Sequence, residues 1–118
     1  MRLRIAVALA ALALFPAGCK SYRIDVRVEN RTGQALNLVE VDYPSASFGM
    51  DTLADGAIYP YHLQVRGSGP VKVQYTETKT NQVRQMTGPQ LAEHEEGSLT
   101  IVLLPDGKAE FEPRLSGR

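Results

Sequence analysis

A two-residue alternation of apolar and polar side chains, interrupted about every ten residues by turn formers, commits most of this chain to β structure. Tyr22, Ile24, Val26 and Val28 alternate with Arg23, Asp25, Arg27 and Glu29. Successive side chains of a strand point to opposite faces, so this segment buries one face and wets the other. Asn30-Arg31-Thr32-Gly33 supplies a turn. From Ala35 to Tyr43 the alternation changes phase: Leu36 and Leu38 share one face, while Val39, Val41 and Tyr43 share the other. A β-bulge near Leu38-Val39, or burial on both sides, reconciles the two.

The small-residue segment Pro44 to Gly49 reads as a crossing loop, followed by a short edge strand from Phe48 to Leu53. Ala54-Asp55-Gly56 turns the chain. Tyr59, Tyr61, Leu63 and Val65 then share a face. Pro60 cannot donate to a ladder, so their strand is expected at a sheet edge, or with Pro60 near its start. Val71, Val73 and Tyr75 mark another strand, and Gln82 to Met86 a weaker one. Thr87 to Gly97 reads as a helical turn, with Pro89 at its start and Gly97 as its stop. Leu99 to Leu104 is nearly continuously apolar, as expected of a central strand. Pro105-Asp106-Gly107 predicts a hairpin into a last strand, Ala109 to Pro113. The sum is seven or eight strands in a single antiparallel sandwich of immunoglobulin-like type, spanning residues 22–114, with a small barrel as the alternative. Residues 115–118 are expected to fray.

The first 18 residues differ in kind. Arg2 and Arg4 precede Ile5 to Phe15, which carries no polar side chain. As a helix, that stretch is roughly 16 Å long, about half of a 30 Å hydrocarbon core. It fits the apolar region of a secretory signal helix better than a permanent span. Pro16 ends it. The following Ala17-Gly18-Cys19 resembles the lipobox of bacterial lipoproteins, with Pro16 where that family prefers Leu. The resemblance implies cleavage after Gly18, acylation of Cys19, and a short anchoring linker over residues 19–21. It also implies a membrane location in the cell envelope. Lys20, in the place where Asp retains such proteins in the inner membrane, points to the outer membrane, facing the periplasm. Cys19 is the sole cysteine, so no internal disulfide is possible, and lipidation explains both its presence and its position. The mature domain resembles the β-sandwich domains of uncharacterised lipoproteins.

Without Arg2 and Arg4 the chain keeps 11 Lys+Arg against 13 Asp+Glu. There is no basic stripe, which argues against a nucleic-acid partner. Chemistry is sparse. Glu93-His94-Glu95-Glu96 is the densest polar cluster, but zinc sites need three or four ligands. His62 is the other histidine, and Met50 and Met86 are scattered. Ser45 and Ser47 lie outside any G-x-S-x-G elbow. Tyr59 and Tyr61, with Phe48, could form a sugar-stacking platform, though a same-face tyrosine pair also suits a core. The reading is a non-catalytic binding or structural module with no cofactor, partnered by the membrane and by an envelope protein or glycan. The alternatives are a metal-binding or hydrolytic protein using His94 and its glutamates, and a carbohydrate-binding sandwich.

Overall fold

The computed structural model describes residues 22–117; the signal segment, Cys19 and Lys20 lie outside them. Eight strands follow in order: β1 (Ile24–Asn30), β2 (Leu36–Tyr43), β3 (Ala46–Leu53), β4 (Ile58–Leu63), β5 (Ser68–Glu77), β6 (Val83–Ala92), β7 (Glu96–Leu104) and β8 (Lys108–Ser116). They form two four-stranded sheets, β4-β1-β7-β8 and β3-β2-β5-β6, packed face to face as a sandwich. The inward residues of β1 and β5 are those the alternation singles out, Ile24, Val26 and Val28 and Val71, Val73 and Tyr75, and the apolar run of β7 adds Leu99, Ile101 and Leu103. β7 lies between β1 and β8, as its apolar run requires.

The expected immunoglobulin order would seat the first two strands in one sheet; here β1 and β2 belong to different sheets. Nor is the pairing wholly antiparallel. β1 runs parallel to β7, with Val28 beside Ile101, and the other pairs are antiparallel. Local alternation sets which side chains face inward but says nothing about which strand lies alongside, so both differences were invisible in the pattern.

The phase change in β2 is a bulge. Register against β5 slips between Asn37 and Glu40, and Leu38 takes φ 52°. Leu36, Val39 and Val41 all reach the core, and Leu38 is turned out. The segment expected as a loop after Tyr43 is instead a tight hairpin. Pro44 presets one turn residue and Ser45 takes φ 84°, so Tyr43 pairs directly with Ala46. Phe48 therefore belongs to a strand.

Thr87 to Gly97 is not helical. β6 continues through it to Ala92, and only residues 93–95 turn. Gly88 lies under Phe111, where a Cβ would come within 2.5 Å of the ring. Pro89 sits on an edge strand beside a register slip, where a missing N–H breaks no ladder bond. The tail is likewise ordered through Ser116. Leu115 pairs with Gly97 and packs against the core, which is why it does not fray.

Side chains bridge the two sheets along both flanks of the sandwich. Phe48 of β3 stacks on Tyr61 of β4, with ring centroids 4.0 Å apart and planes 14° apart. It also stacks on Tyr59 at 6.2 Å. On the other side Phe111 of β8 covers Gly88 of β6.

At the β5–β6 turn, Glu77 is buried. Its Oε1 accepts a 2.8 Å hydrogen bond from Thr80, and its Oε2 lies 3.4 Å from Arg84 Nε. The Thr80 bond, aided by Arg84 and opposed by desolvation, holds this carboxyl below its usual range. A carboxyl with a lowered pKa in the folded state stabilises above its unfolded pKa, about 4.3 for Glu. That contribution fades as the pH falls through the lower folded value. The thermal midpoint should therefore drop on acidification below pH 4.3, and Glu77→Gln should flatten the drop. A Glu77→Gln profile parallel to that of the parent would remove Glu77 as its source.

Candidate functional site

The polar cluster of residues 93–96 is divided by the turn that contains it. Glu95 is buried, and its carboxylate accepts from the Ala92 amide, closing the turn. His94 takes φ 70° and packs its ring against Tyr22, with centroids 4.8 Å apart. Glu96 begins β7. His62 is on β4, its Nδ1 2.6 Å from Asp25 of β1. The two histidines thus have different neighbours. Among the described residues no three His, Cys, Asp or Glu side chains converge to hold a metal. Met50 and Met86 pack against the core. Ser45 bonds the Pro44 carbonyl, and Ser47 is exposed on β3.

The aromatic trio does come together, but in the seam. Phe48 is buried, and Tyr59 and Tyr61 are half-buried beside it. Burial, then the neighbouring Tyr61, raises the Tyr43 phenol above its usual range. The rings join the two sheets and do not present a flat exposed face.

The outer face of the β3-β2-β5-β6 sheet offers more. Here Glu40 lies between Gly49 and Gln74, and Asp42 lies between Ser47 and Lys72. Gln85 Nε2 donates to Gln74 Oε1 at 2.6 Å. A shallow depression of about 570 Å³ follows the bulge, lined by Leu38, Val39, Glu40 and residues 47–51. A smaller one, about 360 Å³, lies between Asp42 and Thr87. Leu38 at the rim of the first is 66% exposed. Glu40 and Asp42, two apart on one strand, share a face. The hydrogen bond and like charge of Asp42 raise the Glu40 carboxyl above its usual range.

The depression borders an edge. Of the four edge strands, β4, β6 and β8 each contain a proline: Pro60, Pro89 and Pro113. β3 has eight residues, no proline and no lysine or arginine, and it pairs with β2 alone. Proline and lysine are the usual means of blunting a sheet edge. The sequence marked β3 as an edge strand but not as the unguarded one. In sequence Pro89 suits a helix start and Pro113 the end of the last strand, so the contrast appears only with the strand order.

These features define a two-sheet all-β sandwich with a shallow polar face beside an open edge. A similar arrangement occurs in an NMR structure of a protein from Eubacterium rectale, with a TM-score of 0.57 and 12% identity over 80% of this chain and 93% of that one. At that identity the likeness concerns the fold alone. No family model matches the sequence, and no curated protein matches it.

Proposed function

We propose that this chain is a membrane-anchored envelope lipoprotein whose sandwich serves as a non-catalytic binding or structural module. The carrying observation is the short distance along the chain between the lipobox cysteine and the folded domain. β1 starts at Ile24, so only residues 20–23 separate it from Cys19. Four extended residues span at most about 14 Å. Acyl chains on Cys19 would hold the sandwich against the bilayer. The end carrying the start of β1 and the 93–95 turn would face the lipid. The opposite end, with the turns after β1, β3, β5 and β7, would face the periplasm. Two or three acyl chains, at about 0.8 kcal/mol per buried CH₂, make such anchoring effectively permanent.

The test is metabolic labelling with a fatty acid, followed by membrane fractionation. The parent protein should take up label and sediment with membranes, and density separation should place it in the outer membrane. Cys19→Ser should remain unlabelled and unprocessed. Equal labelling of parent and variant would overturn the anchor.

A further inference from the structure

We infer that the open edge of β3 receives an extended basic peptide segment, which adds as a fifth strand and lays an apolar side chain over Leu38. This deepens the binding-module reading and rests on it. Three observations converge on one place. The first is the edge itself: the other three outer strands carry prolines, and β3 turns backbone groups away from β2 along residues 46–52, up to the Leu53 carbonyl that Asn30 occupies. The second is Leu38. A leucine at positive φ is strained, and this one is also turned out to solvent at 66% exposure. Asn would relieve the backbone, and a polar side chain would suit the solvent. The third is the depression, which runs along β3 and has Leu38 on its wall. An added strand sends alternate side chains to each face of the sheet, so every second one would enter this depression.

Charge selects the occupant. Glu40 and Asp51 line the depression, Asp42 adjoins Glu40, and Lys72 is the cross-strand neighbour of Asp42. Glu40 and Asp42 repel each other on one face of β2, and the register places Lys72 beside Asp42 and the neutral Gln74 beside Glu40. A lysine or arginine two positions from the apolar residue of the incoming strand shares its face and would relieve that repulsion. A second copy of this chain fits less well, because its own β3 carries Asp51 and no basic residue.

The experiment uses the protein as purified from the cells that make it, held in detergent, whether or not it carries lipid. The probes are ten-residue synthetic peptides that carry phenylalanine and lysine in turn along one face, or phenylalanine and glutamate in turn, with threonine at every intervening position. Hydrogen exchange read by mass spectrometry should show the basic peptide protecting residues 46–53 and leaving the β4, β6 and β8 edges unchanged. The acidic peptide, and a basic peptide N-methylated at alternate amides, should bind at least tenfold more weakly. Leu38→Asn, which keeps a residue tolerant of positive φ, should weaken binding of the basic peptide about tenfold. Glu40→Gln should weaken it severalfold and reduce its salt dependence. Protection elsewhere, equal binding of both charge types, or protection of 46–53 that rises with protein concentration alone would each overturn the inference. The last result would assign the edge to self-association. Cys19 labelling is read separately, so a failed peptide experiment leaves the anchor standing, and a failed anchor leaves the edge measurement intact.

Discussion

Replacing Asn30 by Ala is expected to destabilise the domain by about 3 kcal/mol or more, lowering the thermal midpoint by roughly 15 °C. Asn30 is completely buried at the end of β1, and its amide is a junction between loops. Its Nδ2 donates to the carbonyls of Gln34, Leu53 and Ala54 at 2.8–3.1 Å. Its Oδ1 accepts from the Thr32 amide at 3.0 Å and the Thr32 hydroxyl at 2.7 Å. Truncation leaves several of these groups without a partner in a place water reaches poorly, and each orphaned polar group costs about 1–3 kcal/mol. Asn30→Asp should do no better: it keeps the acceptor, loses the donors, and buries a charge facing carbonyl oxygens. Chemical denaturation of the three proteins decides the matter. A loss below about 1 kcal/mol in Asn30→Ala would mean the loops hold their geometry without the junction.

Gly97→Ala is the second large effect, expected at about 3 kcal/mol or more. Gly97 has φ +133° on β7, and a Cβ there would sit 2.1 Å from the Arg114 carbonyl oxygen of β8. Two penalties combine. Backbone conformations of this kind cost a non-glycine residue about 1–3 kcal/mol. The clash is with main chain, so it can be relieved only by separating β7 from β8. Gly33→Ala isolates the first penalty, because Gly33 has φ +87° but open space around its missing Cβ. It should cost about 1–2 kcal/mol. Equal losses in the two variants would show that the β7–β8 approach yields readily.

These residues show how far the pattern could be read. Asn30 and Gly97 were both legible as punctuation, one in a turn and one as a stop. Their importance comes from atoms distant in sequence: Leu53 for Asn30, Arg114 for Gly97. The bulge at Leu38 was readable because a phase change in apolar side chains is a local signal. The stretch around Pro89 was misread because Pro followed by Leu and Ala suits a helix start as well as an edge strand. What settles it is Phe111, more than twenty positions on. The His94 cluster was visible as composition. Its division into a buried turn closure at Glu95 and a ring contact at Tyr22 depends on tertiary placement. The β3 edge was partly legible, but its contrast with the other edges required the strand order.

The parallel pairing of β1 with β7 has a consequence for how the protein is made. The first of the described strands in chain order occupies an interior position in its sheet, and one flank stays vacant until a segment some seventy residues later arrives. No N-terminal fragment can complete that sheet, so the nascent chain has no early native resting point. Contacts so distant in sequence form slowly. Under the export proposed above, such a chain would cross the membrane as a thread and close this sheet on the far side.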